Sequence, residues 1–205
     1  MIRVIASVLC LLLSVAVSAA DPPPPPFVEV PEFTLPAPPE DHAQIVFLEP
    51  INKIQGMFPV GIFVIEGEQR KLINVSSWRS KSVVTLPPGK HLLFSSHGGH
   101  LMEANVAAGK RYYVLLRFIY AHGLQLRPVR PSGASEYRVN GPHFPKWMKS
   151  TNRWVQMSPD AGAYFGVFAE GVDQVLKKSF EAWQAKTPAE IAELTLNVED
   201  AVPHY

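Results

Sequence analysis

The stretch Thr85–Phe118, TLPPGKHLLFSSHGGHLMEANVAAGKRYYVLLRF, constrains the fold more than any other part of this chain. Pro87-Pro88-Gly89 and Ala107-Ala108-Gly109 each end one apolar run and start another, which is what hairpin corners in an all-β domain require. The neighbouring sequence repeats the pattern. Gln44–Leu48, Gly61–Glu66, Gln69–Asn74, Ser82–Leu86, His91–Ser95, His100–Val106, Arg111–Phe118 and Leu124–Val129 are short, rich in β-branched and aromatic residues, and separated by turn formers. Gly61–Glu66 and Gln69–Asn74 read as a hairpin about Glu66-Gly67-Glu68. So many short strands in succession predict a β-sandwich or barrel and not a parallel α/β sheet.

Within Arg111–Phe118, alternation puts Tyr112, Val114, Leu116 and Phe118 on one face, expected to meet the core. Arg111, Tyr113, Leu115 and Arg117 form the other, expected to be wet or covered by a further element. Residues 131–154 are rich in Pro, Gly, Ser and Asn, with Tyr137, Phe144, Trp147 and Trp154 as aromatic anchors, and read as a long loop cemented to the domain. Ser158-Pro159-Asp160 then reads as the start of a helix. Its stripe of Ala161, Tyr164, Phe165, Phe168, Val172, Val175, Leu176, Ser179 and Trp183 requires burial. Thr187-Pro188-Ala189-Glu190 is a capping box opening a second, short helix to about Leu194. Glu199-Asp200 sits near an end expected to fray.

At the other end, Arg3, the apolar run Val4–Val17 and the small residues Ser18-Ala19-Ala20 have the three regions of a secretory signal peptide, with cleavage expected between Ala20 and Asp21. The run is shorter than the roughly 18 to 20 residues that span a bilayer, so no stable membrane insertion is expected after cleavage. Cys10 is the chain's single cysteine, and its removal leaves no thiol or disulfide, a composition pointing to a bacterial cell envelope, periplasmic or secreted. The sequon Asn74-Val75-Ser76 then reads as accidental. Without Arg3, 18 Lys and Arg face 18 Asp and Glu, and this neutrality argues against nucleic acid as a partner.

Residues 21–41 begin with DPPPPPFVEVPEFTLPAPP, whose prolines forbid a helix or a central strand. The segment reads as a polyproline-like spacer able to reach on the order of 60 Å. The sharper reading makes Phe27, Val28, Val30, Phe33 and Leu35 anchors that an extended arm lays on a partner or back on its own domain.

The runs Ala43-Gln-Ile-Val-Phe-Leu-Glu-Pro, Leu86-Pro-Pro-Gly-Lys-His and Val106-Ala-Ala-Gly-Lys-Arg-Tyr-Tyr-Val resemble the bacterial family catalogued as domain of unknown function 2846. The resemblance covers residues 43–130 and implies an exported, prealbumin-like β-sandwich. It brings no activity with it. The chain departs from the lipoprotein members in lacking a lipidation cysteine.

Residues able to do chemistry are few. His97 and His100, in His97-Gly98-Gly99-His100, are the one candidate metal pair, although glycines at a hairpin tip flanked by exposed histidines explain the same letters. His91 reads as structural, its ring bonded to backbone. Ser95-Ser96 beside His97 lacks a placed acid, and neighbours on a strand point to opposite faces. Arg111, Arg117, Arg127 and Arg130 read as a charged outer sheet face. No cofactor and no metal is expected. The chain is therefore read as an α+β protein: a signal peptide (1–20), an arm (21–41), an antiparallel sandwich of seven or eight strands (42–130) and a loop with helices packed on it (131–205). The expected function is that of a non-catalytic binding or assembly module acting on another envelope protein or an envelope polymer. It would use a sheet edge, the arm, or a surface of Phe27, Phe33, Leu35, Trp147 and Trp154. The alternative is an envelope hydrolase or metal-dependent enzyme with its site where the 131–154 loop meets the sandwich.

Overall fold

The computed structural model of the protein describes residues 23–51, 58–98, 100–120 and 122–202, so the leader, Cys10 and the expected cleavage point at Ala20 and Asp21 lie outside the described residues. The elements are β1 (Phe27–Glu29), β2 (Ala43–Glu49), β3 (Val60–Glu66), β4 (Gln69–Ser76), β5 (Ser80–Leu86), β6 (Gly89–Ser95), β7 (Leu101–Val106), β8 (Arg111–Ile119), β9 (Gly123–Val129), α1 (Phe144–Ser150), β10 (Arg153–Met157), α2 (Ala161–Val167), α3 (Ala169–Gln184), α4 (Pro188–Glu193), β11 (Thr195–Leu196) and a final 3-10 turn at Val198–Asp200. All eight strands expected from the sequence are present, as β2 to β9.

The strands form two sheets, ordered β1-β10-β5-β2-β8-β9 and β11-β7-β6-β3-β4. The α+β sandwich is as expected, with two differences. Among the described residues there are eleven strands, because the arm and the tail add β1, β10 and β11. Three pairings, β10 with β5, β11 with β7 and β2 with β8, are parallel. The two glycine corners also differ from expectation. Neither joins a hairpin: β5 and β6 belong to different sheets, as do β7 and β8. Gly89 (φ +127°) and Gly109 (φ +67°) supply the left-handed backbone that turns the chain from one sheet to the other. The hairpin at Gly67 is as expected.

The molecule has four layers. Between the sheets lie Ile45, Phe47, Ile62, Leu93, Met102, Tyr112, Val114 and Leu116. On the outer face of the six-stranded sheet, Val46, Leu48, Tyr113 and Leu115 are covered by Tyr137, Phe144, Trp147 and Trp154. On the outer face of the five-stranded sheet, Phe63, Val75, Phe94 and Leu101 are covered by α2 and α3. Both faces of β8 are thus buried, one between the sheets and one beneath another element. Phe118 is the exception, 42% exposed at the last pair but one before the hairpin tip.

The arm is not a free spacer. It forms the edge strand β1, antiparallel to β10, a place proline-rich sequence tolerates because one side of an edge needs no ladder donors. Phe33 lies 4.7 Å from Trp154, Leu35 joins the cluster over the six-stranded sheet, and Phe27 joins the cluster under α2 and α3. The Pro36 carbonyl accepts from Arg111 and from Gln44 Nε2. Ser158 was expected to cap a helix; its hydroxyl instead donates to the Pro25 carbonyl at 2.9 Å, and α2 begins at Ala161. The expected single helix also breaks at Phe168, two residues after the poor helix former Gly166. The capping box is as read: Thr187 N–H donates to Glu190 Oε2 at 2.8 Å and Glu190 N–H to Thr187 Oγ1 at 3.3 Å. The C-terminal stretch does not fray through residue 202. Asp200 is buried and accepts from Asn197 N–H, and Val202 N–H donates to the Arg111 carbonyl.

The arginines are spent internally. Arg111 Nε donates to Gln44 Oε1 at 2.6 Å, Arg117 Nε to Gln125 Oε1 at 2.7 Å, Arg127 pairs with Glu193, and Arg130 faces Asp200 at 3.7 Å. Asn74 Nδ2 donates to Ser82 in the interior, so the sequon asparagine is inaccessible. Glu49 continues the inward alternation of Ala43, Ile45 and Phe47. It is fully buried, and neither of its oxygens nor the nearby Ser76 hydroxyl has a hydrogen-bond partner among the described residues. Burial pushes its carboxyl up to about 8, against the opposing influence of Ser76 and the Arg153 guanidinium.

Candidate functional site

A cavity of about 310 Å³ opens where α2 and α3 cross the start of β3 and the end of β6. Its origin is a glycine beneath an aromatic cluster. A Cβ on Gly61 would lie 2.9 Å from the Phe63 ring and 3.0 Å from the Phe165 ring, so Phe165 settles directly on the β3 backbone. Phe165 meets Phe63 edge-on at 5.9 Å and Tyr164 at 5.2 Å. The break at Phe168 turns α3 away from α2 and leaves Phe168, Val172 and Val175 as one wall; Phe58 and Pro59 form another. Phe58 and Phe168 are 60% and 50% exposed, so the apolar lining continues onto the surface.

Two polar side chains other than the Tyr164 hydroxyl reach this cavity, Ser96 and His97. Strand alternation would have pointed them apart. They meet because β6 ends at Ser95 and residues 96 and 97 are in a turn: Ser96 Oγ and His97 Nδ1 are 2.7 Å apart. The buried Ser96 Oγ also accepts from Gly61 N–H at 3.0 Å, and Ser96 N–H donates to the Gly61 carbonyl at 2.9 Å. The hydroxyl is therefore locked to the β3 backbone, and the imidazole stacks 6.3 Å from the Phe58 ring. His97 reaches solvent at the cavity mouth, yet the apolar surroundings of its ring hold its pKa below the usual histidine value, so it is neutral at pH 7.

No contact joins His97 and His100 among the described residues, and Gly99 between them lies outside those residues. His100 lies instead 6.1 Å from His122. Burial lowers its pKa to about 4, with Lys186, His122 and Arg117 acting in the same direction. Among the described residues no three His, Cys, Asp or Glu side chains are grouped as metal ligands. His91 Nε2 bonds the Pro87 carbonyl at 2.8 Å, the structural role expected of it. The other candidate surface residues, Phe27, Phe33, Leu35, Trp147 and Trp154, are half-buried against the protein's own clusters.

Where the 131–154 segment meets the sandwich, a groove of about 340 Å³ includes Glu136, His143 and Trp147. Its imidazole stacks on Trp147 at 6.0 Å, and no hydrogen bond joins it to Glu136 among the described residues. A wider groove of about 750 Å³ runs between the end of α3, at Trp183, and the β6–β7 surface carrying Lys90, His91, Glu103 and Asn105. The sequence pointed to the junction of the 131–154 segment with the sandwich but not to the groove at Trp183 or to the cavity at His97. The cavity had one legible trace, the aromatic concentration at Tyr164, Phe165 and Phe168 in the helical stripe. No family model, no curated protein and no solved structure matches the chain.

Proposed function

We propose that this protein is an exported, non-catalytic binding module of the cell envelope, related to the domain of unknown function 2846 family, and that it binds a small apolar ligand in the cavity at Phe165 and His97. The observation that carries this reading is the make-up of the cavity: apolar walls from α2, α3 and the segment before β3 converge on one locked polar pair, the composition expected of a small-molecule pocket. Binding through the arm or through a sheet edge has less support. The arm is laid against its own sheet, and of the four edge strands among the described residues β1 and β11 have only three and two residues, leaving β4 and β9 as the longer edges. No helix among the described residues is long and apolar enough to cross a membrane. The test is binding of the neutral fluorophore 1-aminoanthracene. Gly171 lines the cavity on α3, and a Cβ there meets nothing within 4 Å. Gly171→Leu therefore adds a branched side chain at the cavity wall with room for its Cβ. Enhanced fluorescence with the native protein and its loss in a stably folded Gly171→Leu variant is the expected result; equal binding by both would reject the cavity as the site.

A further inference from the structure

The hydrogen-bond chain at the cavity fixes which kind of head group its ligand can carry. Ser96 Oγ accepts from Gly61 N–H at 3.0 Å, and its single proton has His97 Nδ1 as its partner at 2.7 Å. In the opposite assignment, with Nδ1–H donating, the seryl hydroxyl would accept twice and its own proton would have no acceptor among the described residues. A buried hydroxyl proton without an acceptor is costly, so Nδ1 carries the lone pair. A neutral imidazole has one N–H, and here it is on Nε2. No described residue accepts from that nitrogen, so it offers one donor and no acceptor.

The rest of the cavity describes the tail. A volume of about 310 Å³ holds roughly ten water-sized groups, and a methylene is of similar size. Apart from the Tyr164 hydroxyl, the other lining side chains offer no hydrogen-bonding atom. Phe58 and Phe168 extend the apolar surface past the mouth, as suits a long, narrow ligand better than a compact one. Among the ten lining residues none carries a fixed charge, so selection rests on hydrogen-bond polarity.

We propose that the cavity binds one unbranched acyl chain of about ten carbons, and that His97 Nε2–H recognises its accepting head, a carboxylate or an ester carbonyl. This rests on the cavity being the binding site, as proposed above. The chemistry is shared by a free fatty acid and by the acyl chain of an ester lipid, and the test separates them.

The experiment is displacement of 1-aminoanthracene from the native full chain by decanoate, decylamine and monodecanoyl glycerophosphocholine at pH 7, repeated with His97→Phe. Decanoate is expected to displace at a concentration at least about tenfold lower than decylamine, the scale of one hydrogen bond to a charged acceptor. In His97→Phe, with each displacement referred to the variant's own fluorophore affinity, that ratio falls toward one. From octanoate to decanoate, affinity rises about fourfold per methylene. Displacement by the glycerophospholipid at the decanoate concentration identifies an ester lipid as a ligand; its failure beside decanoate identifies the free acid. Equal displacement by decanoate and decylamine, or a preference that survives in His97→Phe, overturns the head-group assignment and leaves the pocket standing. Absence of fluorophore binding in the native protein overturns both.

Discussion

Glu49 should make the stability of this protein fall with rising pH over a range where most proteins change little. Its carboxyl is fully buried between the sheets, and its pKa goes from an ordinary 4.5 to about 8 on folding. Between those values the folded chain holds a proton that the unfolded chain has released. The Glu49 contribution to stability is therefore greatest below pH 4.5 and is lost as pH rises toward 8. At about 1.4 kcal/mol per pH unit the whole window corresponds to about 5 kcal/mol, and the interval from pH 5 to pH 7 to about 3 kcal/mol. Glu49→Gln replaces the neutral acid by a neutral amide of similar shape and removes the linkage. Urea unfolding of both proteins at several pH values gives the difference in stability between them, in which contributions from other titrating groups largely cancel. The native protein should lose ground to the variant at about 1.4 kcal/mol per pH unit through this window. A difference that stays constant, or one that grows in favour of the native protein, would show that Glu49 is ionised when folded, paired with Arg153, and would refute the reasoning.

Four other outcomes are expected. A Cβ on Gly98 would lie 1.4 Å from the Leu124 carbonyl oxygen, so Gly98→Ala forces the β6–β7 turn off β9 and costs about 3 kcal/mol. Gly162→Ala in α2 meets open space and gains up to about 1 kcal/mol; the two midpoints in urea check the opposed signs. Removing residues 23–35 strips β1 from β10 and Phe33 from Trp154, so the thermal midpoint drops and tryptophan emission shifts to the red, whereas unchanged values would restore the arm as a mere spacer. Thr187→Ala removes the acceptor for Glu190 N–H and costs about 1 kcal/mol by urea unfolding.

The parts of the fold legible in the sequence are those fixed by local pattern. The eight strands β2 to β9 carry their own β-branched and aromatic runs, and the Thr187 box carries its own cap. The strands that escaped are β1, β10 and β11, at three, five and two residues. They are strands only because a distant edge pairs with them, and no local signal records that edge. The corners at Gly89 and Gly109 were legible as turns, but a turn does not state which sheet receives the next strand. The same limit hid the Ser96–His97 pair. Ser96 and His97 look divided between two faces only while the strand is assumed to continue, and β6 stops one residue earlier. The cavity itself depends on Gly61 lying under Phe165, a juxtaposition across 104 positions of chain.

The most direct test of the cavity as the binding site is amide NMR of the isotope-labelled protein titrated with decanoate. Shifts should concentrate at Gly61, Ser96, His97, Phe165 and Val172, saturate together, and disappear in Gly171→Leu. Shifts centred on Lys90, Glu103 and Trp183, or spread over the surface without saturation, would place ligand binding elsewhere and contradict the proposal.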